Sequence, residues 1–382
     1  MANGGPLSGK RIGLLAGWAS RRNGGVFEAM VGQAALIREL GGEPWVFAAR
    51  DEHSDEDRAR FGEAQVVYAD PVGPAALAYA PALSDALAMA RLDCLHLHGI
   101  WQGSSLTGAQ WARQNAGRYI ISPHGMLDPW ITARSRAKKA LFRWTIERAN
   151  WRAARLFHAL TQDEAEDIRR WVPGAAIDVI PNPAPAVSEP RETMPPPHAI
   201  YLGRIHEKKN VEALVDGWAL LSKRGTLPPD ARLTIAGWGE PDAVARLQRA
   251  IADGIPQAEF VGPVYGEVKR AWLHGARALV LPSVSEGLPM AILEAWCAGT
   301  PTIQSEACHL PEGIDSGAAL PCPTEAVGLS KVLLAALQCD DERWLAMSRA
   351  AQGLAAGPFG RPTIAKRWAQ VYADTMSGAS DA

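Results

Sequence analysis

The feature that most constrains this chain is a pattern that runs twice. Short apolar stretches of strand length are each followed by a longer amphipathic stretch, and one proline-rich segment separates the two runs. In the first run, residues 11–16 (RIGLLA) read as a strand and residues 28–40 (EAMVGQAALIREL) as a helix stopped by Gly41-Gly42. Strand candidates continue at 44–48, 66–68, 94–97, 119–122 and 156–159, and a helix at 163–171 and a strand at 178–180 close the series. Residues 181–197 begin PNPAP and end PPP, which suits neither a helix interior nor a central strand, so they read as a linker. Beyond them strands are expected at 199–202, 233–236, 259–261, 278–281 and 302–304, with helices at 211–221, 243–252, 267–274 and 290–298. Parallel strands need crossover connections, and the crossovers here are helical. The expectation is an α/β protein of two Rossmann-like, doubly wound domains, residues 1–190 and 191–360, followed by an amphipathic helix over 361–376 within a final segment 361–382. Such folds bind ligands beyond the carboxyl ends of their strands, so a two-domain version should hold its ligand in the intervening cleft.

Composition narrows the class. The 382 residues carry 39 Lys+Arg against 41 Asp+Glu, which argues against nucleic-acid binding through overall charge. No apolar run approaches the roughly 20 residues of a spanning helix, and the first residues, MANGGPLSGK, lack the apolar core of a secretory signal. Five cysteines without a C-x-x-C pair suit neither a disulfide framework nor a zinc knuckle, so a cytoplasmic location is expected.

Two loops of the second run carry the chemistry. After the strand at 199–202 comes Gly203-Arg204-Ile205-His206-Glu207-Lys208-Lys209-Asn210, leading into a helix. A glycine, fixed cations and a helix start can grip an anion through backbone N–H groups and charge, although a solvated basic turn would read the same way. After the strand at 278–281 comes Ser285-Glu286-Gly287-Leu288-Pro289-Met290, with Glu294 inside the following helix and Pro289 suited to its first position. Carboxylates accept paired hydrogen bonds from vicinal hydroxyls, which suits a ribose or a sugar ring. Taken singly, each would pass for a surface ion pair.

Taken together, Gly203-Arg204…Lys209 and Glu286-x7-Glu294 resemble the retaining glycosyltransferases of family 4, which have the GT-B fold. The resemblance extends to Gly24-Gly25-Val26, His98-Gly-Ile-Trp101, Ser122-Pro-His-Gly-Met-Leu-Asp-Pro-Trp130, Ile180-Pro-Asn-Pro183, Ala236-Gly-Trp-Gly239 and Val261-Gly262. It implies that Arg204 and Lys209 bind the donor diphosphate, with Gly203 beside them, and that Glu294 holds the ribose. Glu286 would contact the transferred sugar, helped by backbone N–H groups around Gly287, Leu288, Pro289 and Met290, and Val261-Gly262 would lie by the base. In the first domain, Gly24 and Gly25 would admit phosphates and acceptor, and His124 would stand near the donor sugar. His98 and Trp101 are assigned to the acceptor pocket; a His-Trp packing pair is equally compatible. The implied activity is transfer of a hexose from a UDP- or GDP-linked donor to a saccharide or lipid-linked saccharide, in surface polysaccharide or glycolipid biosynthesis. The nucleotide sugar would be a co-substrate, with no cofactor and no metal.

Three further features bear on this reading. Asp55-Glu56-Asp57 has the D-x-D form of a metal-binding motif from a different transferase fold, and in its polar surroundings reads as a solvated acidic turn. Residues 130–155 hold eight Lys/Arg, one Glu and three Trp, a composition suited to an anionic membrane surface, or to a helix whose cations are merely solvated. A nicotinamide-dependent oxidoreductase would need G-x-G-x-x-G between a strand and a helix, and neither Asn23-Gly24-Gly25 nor Gly237-Trp238-Gly239 supplies it. A nucleotide-sugar-binding protein without turnover is the other alternative.

Overall fold

The computed structural model describes residues 4–129, 132, 140, 142–252 and 255–377. The described strands form two wholly parallel sheets. The first contains β1 (Arg11–Trp18), β2 (Glu43–Ala49), β3 (Gln65–Ala69), β4 (Cys94–His98), β5 (Tyr119–Ser122), β6 (Leu156–Ala159) and β7 (Ile177–Val179), in the order β3-β2-β1-β4-β5-β6-β7. The second contains β8 (His198–Leu202), β9 (Arg232–Ala236), β10 (Ala258–Gly262), β11 (Ala278–Leu281), β12 (Thr302–Gln304) and β13 (Ala319–Pro321), in the order β10-β9-β8-β11-β12-β13. Both are doubly wound. In each, the chain grows outward from the first strand in one direction, then returns to its other side, so connections diverge at β1/β4 and at β8/β11. A sheet covered on both faces needs near-continuous apolar strands. β1 (RIGLLAGW) and β11 (ALVL) meet that need, with every residue buried except Arg11.

The chain divides into two compact units, Met1–Pro181 with Ala365–Ala382, and Asn182–Ile364. The first change of unit falls nine residues before the expected 190/191 boundary. Residues in that interval already bond to the second unit: Ala184 N–H donates to Phe359 O (2.8 Å) and Ser188 N–H to Cys297 O (2.9 Å). The linker is therefore extended backbone pinned along one unit. The last helix, Arg361–Ser377, contains the second change of unit, and its C-terminal part joins the first unit, where Trp368 and Tyr372 are buried. The helix expected at 28–40 begins earlier, at Gly25, because Gly24 (φ 53°, ψ −124°) serves as its N-cap in a backbone region open to glycine.

Candidate functional site

In the second unit, the loops after β8 and β11 meet at the switch point, where a doubly wound sheet leaves room for a ligand. The β8 loop is fixed from both sides. Gly203 N–H donates to Ala236 O (3.1 Å), and a Cβ at Gly237 would stand 1.8 Å from Gly203 O, so only glycine allows these two backbones to approach. The ring of His206 accepts from Lys208 N–H (3.1 Å) and caps a short turn, Glu207–Lys209. Asn210 follows in the left-handed region (φ 54°), and its amide donates to Pro282 O (3.0 Å) and Thr324 O (2.7 Å). Val284 N–H donates to Lys208 O (2.8 Å), which ties the β8 loop to the β11 loop.

That stitching sets Lys209 against Glu286. The Lys209 ammonium bonds Oε2 of Glu286, while Ser283 Oγ donates to Oε1 (2.7 Å). The Glu286 side chain is 5% exposed, so its charge is compensated on both oxygens rather than by water. Glu294 lies in the helix Met290–Cys297 and accepts from Lys269 Nζ (2.7 Å). Arg204 lies with its guanidinium 5.0 Å from the Trp238 ring centre and 3.2 Å from Glu240 Oε1. Arg204, Lys269, Met290 and Glu294 line one cavity of about 230 Å³ with Gly203, Gly237, Trp238 and Tyr265. The structure thus brings Arg204, Met290 and Glu294 together and pairs Lys209 with Glu286. Val261 and Gly262 do not line this cavity; the residues just after them, Pro263, Val264 and Tyr265, do. Pro289 is the N-cap (φ −75°, ψ 98°), not the first helical residue, because its ψ is extended; no side chain caps this helix. Lys269 and Ser283 escaped sequence reasoning. Each looks like an ordinary polar residue; the tertiary fold brings Lys269 to Glu294, and the local turn of the β11 loop brings Ser283 to Glu286.

In the first unit the corresponding loops follow β1, β4 and β5. Gly24 and Gly25 have open space where a Cβ would be. The turn before them is held by Arg21, whose backbone N–H and guanidinium donate to buried Asp57 (2.7 and 2.9 Å). That pairing holds the Asp57 carboxyl below the usual range. Asp55 pairs with Arg50 (2.7 Å) and Glu56 with Arg21 (2.9 Å), so all three acidic side chains of the D-x-D stretch are engaged by arginine.

After β4 and β5 the chain twice enters the left-handed region without glycine, at Trp101 (φ 68°) and His124 (φ 55°). Each turn is held by a buried glutamate. Glu147 accepts from Trp101 N–H (2.6 Å), Ser105 Oγ (2.7 Å) and Asn150 Nδ2 (2.9 Å). Glu164 accepts from Gly125 N–H (2.6 Å) and Leu160 N–H (2.8 Å). Burial pushes both carboxyls up. Neither glutamate was legible as functional, since both sit in helical sequence where an exposed charge is the ordinary expectation.

His124 is half-buried, and its Nε2 lies 2.9 Å from Nδ1 of His98. Burial holds His124 down to about 3 and His98 well below the usual range, so both are neutral. The acceptor-pocket assignment of His98 needs correcting, whereas Trp101 is half-buried. His98 is 3% exposed and cannot touch a ligand directly. Trp101 packs edge-on against Trp151 and Trp171, with its indole N–H donating to Met126 O (3.1 Å). Of the cationic stretch 130–155, residues 130, 131, 133–139 and 141 lie outside the described residues. Among the rest, Arg143, Arg148, Arg152 and Arg155 line a groove of about 710 Å³ with Trp144, Trp151 and Trp171.

A model described as "Glycosyl transferase 4-like domain" matches residues 24–183, and one described as "Glycosyl transferases group 1" matches residues 196–338. The chain has the GT-B fold, with a glycosyltransferase domain model matched in each half. This GT-B chain is 30% identical over 262 residues to a glycogen synthase of Mycobacterium tuberculosis, covering 66% of this chain and 61% of that protein. It therefore spans about three fifths of the first curated relatives it matches. It is 28% identical over 153 residues to O-antigen chain mannosyltransferase B of Escherichia coli, 40% of each chain. In fold it is similar to Anabaena HepE, solved with UDP and glucose (TM-score 0.75, 17% identity, 96% of this chain and 100% of that one). It is also similar in fold to sucrose-phosphate synthase from Thermosynechococcus elongatus (TM-score 0.74, 19% identity, 97% and 100%).

Proposed function

We propose that this chain is a retaining hexosyltransferase of family 4, with a UDP- or GDP-linked hexose as donor. The acceptor is a saccharide or lipid-linked saccharide in bacterial surface polysaccharide or glycolipid biosynthesis. The observation that carries this reading is the pairing of Lys209 with Glu286 and of Lys269 with Glu294 at one switch point, with Arg204 in the same cavity as Glu294. Cations beside hydroxyl-binding carboxylates are what a sugar joined to a diphosphate requires. Arg204 and Lys209 grip the diphosphate, Glu294 the ribose, and Glu286 the hexose. His124 takes part in sugar recognition.

The reaction breaks the bond between the anomeric carbon and the phosphate oxygen, and forms one to the acceptor oxygen on the same face. The departing phosphate takes the acceptor's proton. Arg204 and Lys209 stabilise the charge that gathers on that phosphate, and no metal is required. HepE was solved with UDP and glucose, which favours a nucleotide donor, and the name of the Escherichia coli mannosyltransferase favours an O-antigen-like product. No helix among the described residues is long and apolar enough to cross a membrane. The arginine-lined groove favours peripheral attachment of 130–155 to an anionic cytoplasmic leaflet instead.

The test is nucleotide release from UDP- and GDP-hexoses, with and without saccharide or lipid-linked acceptors and in excess chelator. Release that requires acceptor and ignores chelator supports the proposal. Binding without release under any condition favours a sugar-nucleotide-binding protein.

A further inference from the structure

We infer that His98 is a positioning residue: it donates from Nδ1 to His124, and so fixes His124 as the tautomer that carries its own proton on Nδ1 and meets a ligand as a donor. The starting point is a buried hydrogen-bond chain beside this pair. His158 Nε2 lies 2.7 Å from the carbonyl of Ile180. A carbonyl only accepts, so this nitrogen carries the proton, and neutral His158 accepts at Nδ1 from Ser122 Oγ (2.7 Å). Ser122 has then spent its proton and accepts from His96 Nε2 (2.6 Å). His96 Nδ1 in turn accepts from Tyr372 OH (3.0 Å), whose oxygen receives Gln33 Nε2 (2.8 Å). One carbonyl thus sets the direction of every bond from β7 back to the first helix, and the final helix joins through Tyr372.

The His98–His124 pair lies outside this chain, with the His98 ring tilted 33° against His96 at 4.1 Å between ring centres. One proton lies between His98 Nδ1 and His124 Nε2, and there are two ways to place it. If His124 gives it, neutral His98 must hold its proton on Nε2, a buried atom with no partner, leaving a stranded N–H. If His98 gives it, the same atom is a bare lone pair. Orphaned buried N–H groups are the rarer defect, so His98 is the donor. His124 Nε2 is then the acceptor, and its proton must be on Nδ1, the nitrogen that makes no hydrogen bond among the described residues. Half-buried His124 therefore offers an N–H to an oxygen lone pair, from a sugar hydroxyl or a phosphoryl group. The ligand part rests on the transferase reading; the tautomer does not.

The experiment separates the two. In the ¹⁵N-labelled full chain, with the His124 signals assigned by their loss in His124→Gln, Nδ1 should show the protonated, pyrrole-type shift and Nε2 the bare, pyridine-type shift. The reverse pattern, or an even mixture, overturns the inference, and no substrate is needed to see it. His98→Leu should scramble this pattern and lower kcat/KM roughly tenfold, about one hydrogen bond's worth. His98→Asn, which keeps an amide N–H near the Nδ1 position, should restore both. If His98→Leu leaves the tautomer of His124 unchanged, the positioning role is wrong even if transfer is confirmed.

Discussion

Acidification should weaken the first unit well above the range where carboxylates usually titrate. Four histidines, His96, His98, His124 and His158, are held neutral by burial, His158 at about 4 and His124 at about 3. In the unfolded chain each takes up a proton near pH 6.5. A base whose folded pKa is depressed costs stability as pH falls below its unfolded pKa. Each proton bound only by the unfolded state contributes about 1.4 kcal/mol per pH unit. Buried Glu147 and Glu164 act the opposite way, because their raised folded pKa lets the native state bind up to two protons first. The net between pH 6 and 5 is then about two to four protons, or roughly 3–5 kcal/mol per unit. For a unit of about 200 residues this is a fall in Tm of roughly 6–20 °C per pH unit. Calorimetric unfolding at pH 7, 6 and 5, in buffers of differing ionisation enthalpy, reads both the shift and the proton uptake. A Tm that holds or rises from pH 7 to 5, or unfolding without proton uptake, would refute the neutral buried cluster.

Tyr372→Phe removes the hydroxyl between Gln33 and His96, strands two buried groups, and should cost about 2–4 kcal/mol in denaturant unfolding. An undiminished stability would mean the bond chain contributes nothing. Gly237→Ala places a methyl 1.8 Å from Gly203 O. It should lower donor affinity and Tm together by prising the β8 loop from β9, and normal values for both would show that the loop yields freely. Lys209→Ala or Arg204→Ala should reduce turnover about 10²–10³-fold, the usual effect of losing a preorganised charge-stabilising group; steady-state assay of either variant at wild-type rate would remove that residue from its role.

Much of the fold can be read from the sequence because strand burial in a parallel sheet is written locally. Residues 119–122, 156–159, 278–281 and 302–304 form strands at the bounds that apolar runs and their flanking breakers suggest. β13 (Ala319–Pro321) is different: three residues ending in proline become a strand only by pairing with β12 at the sheet edge. Candidate site residues divide in the same way. Arg204, Lys209, Glu286 and Glu294 are visible because their spacing within strand–loop–helix units is itself the signal. Lys269, Glu147 and Glu164 are not, because each acts on a residue from 25 to 46 positions away through a contact that only packing creates, and Ser283, three residues before Glu286, looks like any loop serine. His98 shows a limit of pattern: its place after a strand marks it as functional, and only its burial shows that it acts through His124.

The most direct measurement is calorimetric titration of UDP- and GDP-hexoses into the full chain and into Arg204→Met and Lys209→Met. One donor class should bind the wild type and lose roughly 10–100-fold in affinity in each variant, as expected for a charge-assisted contact to phosphate. Unchanged affinity in both variants, or no binding of any nucleotide sugar to the wild type, would contradict a diphosphate seat between the β8 and β11 loops.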